Sequence, residues 1–276
     1  MATSENGDST VFAEEGRRAG RELVLEAIFR PLARLLASPL ARLRVPPSAV
    51  LLANVATGLL AAAAIARDEL VGGALLLQLK TLLDNTDGEL ARVSGKVTLA
   101  GRYLDTVADL VVNLALFVAL ARATGQPVLA ATAFLALTLV LSVDFQVSEL
   151  AREAHGLGPQ APAPDGGATE HVLGDVYRIV FAPQDRFVRW LSRRRFEAAV
   201  PTETDPSRVA DARRAYFDPL TLTVLANLGL STQLLVLGGS LSLEAPELYL
   251  WLVLASLLLL VPLQLRRERL AGRAST

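Results

Sequence analysis

The chain has 276 residues, of which 52% are hydrophobic, and its formal net charge is only −1. It contains no cysteine, which excludes a disulfide framework and any thiolate metal site. The two histidines, His155 and His171, lie in a polar region, so we do not expect a histidine-built metal centre. Apolar runs of membrane-spanning length alternate with arginine-rich segments. The composition therefore predicts an all-α polytopic membrane protein.

The N-terminal region is predicted to lie outside the membrane core. Residues 1–10 are small and polar, and we predict a disordered tail there. In residues 11–45, leucine, isoleucine and phenylalanine alternate with arginine, which predicts an amphipathic segment in the membrane interface. We expect Pro31 and Pro39 to break this segment into pieces. Residues 46–276 are predicted to form one six-helix transmembrane domain.

Six apolar segments are long enough to cross a bilayer. Their predicted bounds are 48–66, 70–92, 103–123, 128–150, 217–237 and 248–265. The polar residues 151–215 are predicted to form a cytoplasmic connection, with a basic and aromatic segment at 176–196. Nucleic-acid binding is one interpretation of that composition. Beside six spans a lipid surface is favoured, so we expect membrane lipids as partners and no nucleic acid.

The distribution of positive charge predicts the orientation of the chain. Lysine and arginine crowd the N-terminal segment, the turn after the second span, the 151–215 connection and the C-terminus. The loops on the opposite side, with the adjoining span ends, hold only Arg67 and Arg122. The positive-inside rule then places both termini on the cytoplasmic side of a cell's inner or plasma membrane.

Four aspartates lie in two pairs at the ends of the second and third predicted spans. Asp84 and Asp87 precede a turn near Lys96, and Asp105 and Asp109 follow it. Asp87 and Asp105 are each nine residues from Lys96, while Asp84 is twelve and Asp109 thirteen residues away. In an antiparallel helix pair that rises about 1.5 Å per residue, the four carboxylates converge at two adjacent levels. We therefore predict one acidic site, which faces the cytoplasm.

Four carboxylates at such distances repel unless cations lie among them. An all-carboxylate site suits a hard divalent ion such as Mg²⁺ or Mn²⁺. Two ions about 4 Å apart would form a two-metal centre for phosphoryl transfer. A solvated helix face is the alternative interpretation, but acids inside apolar segments are rare and usually functional.

Other residues near the aspartates are candidates for this site. Ala91 and Gly101 are equally far from the turn, so we expect them to face each other and let the two helices approach closely. Lys80 lies one turn from Asp84 and is expected to pair with it, to contact a substrate phosphate, or to snorkel toward the outer surface. Asp144 lies at a similar depth and is expected to line the same cavity.

The aspartate motif resembles the signature of the CDP-alcohol phosphotransferase family. The matching pattern is Asp84-x2-Asp87-Gly88-x2-Ala91-Arg92-x8-Gly101-x3-Asp105-x3-Asp109. The first span begins with Pro47-Ser48, where the family usually has Pro-Asn. The resemblance implies a six-helix membrane enzyme, usually a homodimer. Such an enzyme would transfer a substituted phosphate from CDP-diacylglycerol or another CDP-alcohol to a hydroxyl, with release of CMP, in phospholipid biosynthesis.

The resemblance also implies roles for individual residues. The expected ligands of two Mg²⁺ or Mn²⁺ ions are Asp84, Asp87, Asp105 and Asp109. Asp109 is in addition expected to accept the proton of the incoming hydroxyl. The residues expected to contact substrate are Gly88, Ala91, Arg92, Gly101 and Lys80.

Two other functions use intramembrane acids. A prenyltransferase also binds a diphosphate through aspartate pairs and Mg²⁺, but its pairs usually lie far apart in sequence and lack the glycine and Ala-Arg positions. An ion-coupled transporter tends to place its site at the midplane between repeated halves. Here the acids lie near one face, and the halves of the chain differ.

Overall fold

The computed structural model describes residues 20–157, 168–201 and 205–276, and within these ranges the chain is helical with no strand. The predicted tail 1–10 and the beginning of the 11–45 segment lie outside the described residues. A π-helical turn, Leu25–Phe29, precedes the first α-helix. The α-helices are α1 (Arg30–Arg42), α2 (Pro47–Ile65), α3 (Leu70–Val93), α4 (Leu99–Thr124), α5 (Pro127–Ala154), α6 (Ala168–Val180), α7 (Ala182–Ala199), α8 (Pro206–Tyr216), α9 (Pro219–Ala226), α10 (Leu230–Ser242) and α11 (Pro246–Ser275).

Local sequence signals explain where the helices of the site begin and end. Gly95 follows α3 with φ +64°, a left-handed conformation that glycine adopts without steric cost. The hydroxyl of Thr98 accepts a hydrogen bond from the Gly101 amide and so caps the start of α4. Gly125 ends α4 with φ +66°. The helix–turn–helix predicted around the aspartates is therefore present.

Five helical segments are long and apolar enough to cross a membrane: Pro47–Ile65, Leu99–Thr124, Pro127–Ala154, Pro206–Ser242 and Pro246–Ser275. The predicted second span is a 24-residue helix, α3, but it is not among the five because its inner half carries Lys80 and the motif acids. Large apolar side chains point outward on α2, α4, α5 and α11, and also on α3, where Leu75 is 68% exposed. Such outward apolar faces are typical of a lipid environment.

The segment predicted as one span at 217–237 is interrupted. α9 ends at Ala226 and α10 begins at Leu230, with Asn227 between them. The Asn227 side-chain amide donates to the carbonyls of Thr223 and Arg21, and its oxygen accepts from the Leu23 amide. The side chain thus replaces helical hydrogen bonds at the break and ties it to the chain before α1.

The N-terminal amphipathic segment is not broken at its prolines, contrary to our expectation. The helix continues from the π-helical turn through both Pro31 and Pro39 to Arg42. Pro31 lies in the first turn of α1, where it displaces no hydrogen bond of that helix. The helix buries Ala33 and Ala37, while Leu35 is 71% exposed.

Packing places α2 at the centre of the site. It contacts both α3 and α4. A Cβ atom added at Gly58 of α2 would lie 2.5 Å from Val112 Cγ1 of α4 and 3.4 Å from Lys80 Cγ of α3. Val112 belongs to the main core, which also includes residues of α5, α10 and α11.

Candidate active site

Three of the four motif aspartates meet in space. Asp84 projects from α3, and Asp105 and Asp109 project from α4. One carboxylate oxygen from each lies within 4.8 Å of the other two. The antiparallel arrangement that the sequence predicts thus brings together acids from two helices.

Asp87 lies beside this triad rather than within it. Its side chain is only 7% exposed, but it contributes to the wall of the same cavity as the triad. Its Oδ2 atom is buried and has no hydrogen-bond partner among the described residues. A buried acceptor without a donor is costly unless a ligand satisfies it.

Lys80 supplies positive charge from behind the acids. It is 1% exposed, and its ammonium lies 2.6 Å from Asp109 Oδ1 and 3.3 Å from Asp84 Oδ1. The ammonium therefore bridges α3 and α4 on the buried side of the carboxylates. The structure brings Lys80 to Asp84, as one of our alternatives expected, but not to the cavity wall.

Asn54 is a site residue that our reading of the sequence missed. It lies on α2, is 1% exposed, and donates from Nδ2 to Asp84 Oδ1 at 2.8 Å. The same oxygen accepts from Lys80, so two donors fix the orientation of Asp84. The sequence did contain a signal for it, because Asn54 is an amide side chain within an otherwise apolar span. Such a group needs a hydrogen-bond partner in the membrane.

The acids face a cavity of about 890 Å³. Its lining includes Asp84, Asp87, Asp105 and Asp109, and α1 contributes Arg30 and Ala33. The first turn of α10 and Phe145 of α5 line the same cavity. The break between α9 and α10 therefore opens onto the same space as the aspartates. Asp144, which we expected in this wall, is instead buried beside Phe145.

The motif glycines border open space. In the described part of the chain, a Cβ atom added at Gly88 would have the Arg92 guanidinium as its nearest neighbour, at 3.8 Å. The corresponding Cβ at Gly101 would meet only the Thr98 hydroxyl, at 3.1 Å. Both glycines, with Ala91 and Arg92, line the cavity. Their missing side chains leave the cavity room next to the backbone.

The close approach that we expected between Ala91 and Gly101 is wrong. No atom of α3 comes within 4 Å of the Gly101 Cβ position. The two helices flank the cavity at this level, so they cannot pack against each other there. Close helix contact occurs instead at Gly58, deeper in the bundle.

Two arginines of the cavity wall, Arg92 and Arg102, contact other side chains of the protein. The Arg92 guanidinium donates to Glu89 at 2.7 Å and is 55% exposed. The Arg102 guanidinium lies 5.1 Å from the centre of the Phe145 ring. Both side chains line the cavity, where a planar guanidinium can pair with phosphate.

The donor atoms of this site fit a hard divalent cation. The triad offers only carboxylate oxygens, and Asp87 lines the same cavity. Magnesium and manganese prefer such ligands, whereas zinc and copper favour nitrogen or sulfur. Asp84, Asp105 and Asp109 can therefore bind a metal ion.

Taken together, the helices and the site define a helical membrane protein with an acidic, metal-capable site inside its bundle. A family model described as CDP-alcohol phosphatidyltransferase matches residues 44–181, half of the chain. The chain therefore belongs to the CDP-alcohol phosphatidyltransferase family, a family of transferases in lipid synthesis. No curated protein and no solved structure gives a significant match.

Proposed function

We propose that this protein transfers a phosphatidyl or other substituted phosphoryl group from a CDP-linked lipid, such as CDP-diacylglycerol, to an acceptor hydroxyl. The observation that carries the proposal is the Asp84–Asp105–Asp109 triad, which faces a large cavity in a chain of this family. The reaction forms a new phosphorus–oxygen bond to the acceptor. It breaks the phosphorus–oxygen bond to CMP, which leaves.

The site is proposed to use Mg²⁺ or Mn²⁺. Asp84, Asp105 and Asp109 would hold the metal, and Asp87, which lines the same cavity, would be a further ligand for a second ion. Bound divalent ions would neutralise the diphosphate and polarise it toward attack.

The other catalytic tasks would fall to individual side chains of the site. Asp109 would accept the proton of the attacking hydroxyl. Lys80 and Asn54 would hold the carboxylates in place, because both donate to them from buried positions. Lys80 would thus serve the acids and not the substrate. Gly88 and Gly101 would let the nucleotide approach the backbone, and Arg92 would pair with phosphate.

The surroundings of the cavity suit a substrate that is half nucleotide and half lipid. Charged side chains of Arg30, Arg92 and Arg102 line the cavity, together with the acids. Leu25, Leu51 and Leu104 add apolar surface to the same wall. A nucleotide diphosphate could be held among the charges while its acyl chains remain in lipid.

For the whole chain we propose six spans, with α3 as the additional one, and both termini and the acidic site facing the cytoplasm. The charge distribution supports this orientation, and the outward Leu75 supports α3 as a span. We also propose a homodimer in a cell's inner or plasma membrane, as the family resemblance implies.

The test is CMP release from CDP-diacylglycerol by the purified protein in vesicles with Mg²⁺, across a set of acceptors. Glycerol phosphate, inositol, inositol phosphate, serine and a lipid alcohol represent the acceptor classes. We expect CMP release that depends on one acceptor and stops with EDTA. Turnover of an isoprenyl diphosphate without CMP release from any CDP substrate would overturn the proposal in favour of a prenyltransferase.

A further inference from the structure

The polar connection between the fourth and fifth predicted spans contains two consecutive helices, α6 and α7, that pack on the membrane helices. α6 places Tyr177 against Tyr103 of α4, with ring centroids 5.2 Å apart. α7 accepts a hydrogen bond at Gln184 Oε1 from the Ser142 hydroxyl of α5, at 3.1 Å. The two helices meet at Phe181, where the backbone stays in the right-handed helical region.

The contacts with α5 set the depth of α7. From Pro127 to Ala154, α5 is about 42 Å long at 1.5 Å per residue, whereas the hydrocarbon core is about 30 Å thick. Ser142 lies about 22 Å from the start of the helix, within the hydrocarbon core if α5 starts at the opposite surface. Arg189 of α7 pairs at 2.7 Å with Glu153, which lies past that core. α7 therefore begins within the membrane and rises out of it.

Contacts with a second span, α11, place α7 at the same depth in the membrane. The exposed apolar surface of α11 extends to Leu265, which is 41% exposed. Two residues later, Arg267 donates from Nη2 to the Ser192 hydroxyl of α7 at 3.1 Å. Ser192 is eight residues beyond Gln184, or about 12 Å along α7. Ser192 thus lies near the membrane boundary, and Gln184 lies below it.

The α6–α7 pair exposes a stripe of large apolar side chains, which we call the outer stripe. Its members and their exposed fractions are Ile179 at 76%, Phe187 at 52%, Trp190 at 53% and Leu191 at 40%. The opposite face of α7 buries Val188 and Ser192 against the protein. The outer stripe therefore faces away from the protein core in the described part of the chain.

Arginines border the outer stripe. Arg186, Arg193 and Arg194 are exposed on α7, and the Arg194 guanidinium lies 5.8 Å from the centre of the Trp190 ring. Tryptophan favours the membrane–water interface, and arginine there buries its stem while its charge reaches lipid phosphates. This mixture matches a phospholipid leaflet better than a purely apolar protein surface.

We propose that the α6–α7 pair is embedded in the leaflet on the aspartate side. The acyl chains of that leaflet cover the outer stripe, and its phosphates bind the neighbouring arginines. The pair is then part of the membrane domain and not of a cytoplasmic connection. It also shields the outer face of α4 beside Arg102, which lines the cavity.

The test uses the only two tryptophans of the chain, Trp190 and Trp251. Trp251 lies on α11 and is 57% exposed, so Trp251→Phe is compatible with the packing and leaves Trp190 as the single reporter. The full-length variant is reconstituted in phosphatidylcholine vesicles with and without bromine at carbons 6 and 7 of one acyl chain. We expect a roughly twofold loss of Trp190 emission in the brominated vesicles, because an interfacial indole lies near those carbons. Aqueous iodide should have little effect.

The matched control is Trp190→Phe, which retains Trp251 and calibrates the quenching of a lipid-exposed indole on a span. Two results overturn the proposal. Strong iodide quenching without bromolipid quenching would place Trp190 in water. Protection from both quenchers would mean that protein, such as a second copy of the chain, covers the outer stripe. Neither result bears on the transfer reaction, which CMP release tests separately.

Discussion

Replacing Lys80 by methionine removes a buried positive charge that contacts Asp84 and Asp109 of the triad. Methionine keeps the length of the side chain and its apolar stem, so packing changes little. The substitution leaves Asp109 and Asp84 without the ammonium that lies 2.6 Å and 3.3 Å from their oxygens. The expected loss of stability is therefore electrostatic.

The magnitude follows from the burial of the group. Removing one partner of a buried ion pair costs about 3–5 kcal/mol, because the other charge remains buried. Asp84 and Asp109 keep 23% and 21% of their side-chain surface exposed to the cavity, so water relieves part of this cost. We expect the lower end, about 3 kcal/mol, which corresponds to a fall in Tm of about 6–12 °C for a chain of this size.

The assay is thermal unfolding in detergent, in EDTA and in a series of Mg²⁺ concentrations. Lys80→Met should melt well below the wild type in EDTA and should gain more from Mg²⁺, because the divalent ion replaces the missing charge. Lys96→Met, which removes an exposed lysine from the turn after α3, is the matched control. If both variants melt at the same temperature in EDTA, Lys80 does not neutralise the acids and the electrostatic reasoning is refuted.

Three further predictions concern packing, proton transfer and metal binding. Gly58→Ala should lower stability by about 1–3 kcal/mol, because its Cβ would lie 2.5 Å from Val112 Cγ1. The control, Gly72→Ala, has open space around its Cβ and should leave stability unchanged. Equal melting temperatures of the two variants would contradict the tight contact at Gly58. Asp109→Asn should bind the CDP substrate nearly as well as wild type but release CMP far more slowly; parallel loss of nucleotide binding would make Asp109 chiefly a metal ligand. Affinity for Mn²⁺, measured by calorimetry, should rise with pH because protons compete with the ion for the carboxylates. A pH-independent affinity would place the ion elsewhere.

The sequence was most informative where chemistry and local geometry coincide. The spacing of Asp84, Asp105 and Asp109 around a glycine-containing turn determines which helix faces they share, so their convergence followed from helix geometry alone. The family followed from the same residues. Both features depend on residues close together in the sequence, so they can be predicted from a single sequence.

The features that we did not predict depend on contacts between distant parts of the chain. The break at Asn227 forms with hydrogen bonds to Arg21 and Leu23, about two hundred residues earlier, while the flanking residues read as one apolar span. The position of α2 between α3 and α4 depends on Gly58, which no periodic pattern distinguishes from other small residues. Tertiary packing decided both outcomes.

The central claim is that the aspartates of α3 and α4 drive a metal-dependent transfer with release of CMP. The most direct measurement is CMP release from CDP-diacylglycerol by the reconstituted wild type, Asp105→Asn and Asp68→Asn, each with Mg²⁺ and with EDTA. Asp68 lies in the α2–α3 loop, outside the cavity wall, and at its φ of +63° asparagine is equally suited, so this variant controls for loss of an acid. We predict that wild type and Asp68→Asn release CMP only with Mg²⁺, while Asp105→Asn stays folded and inactive. Substantial Mg²⁺-dependent turnover by Asp105→Asn would contradict the account.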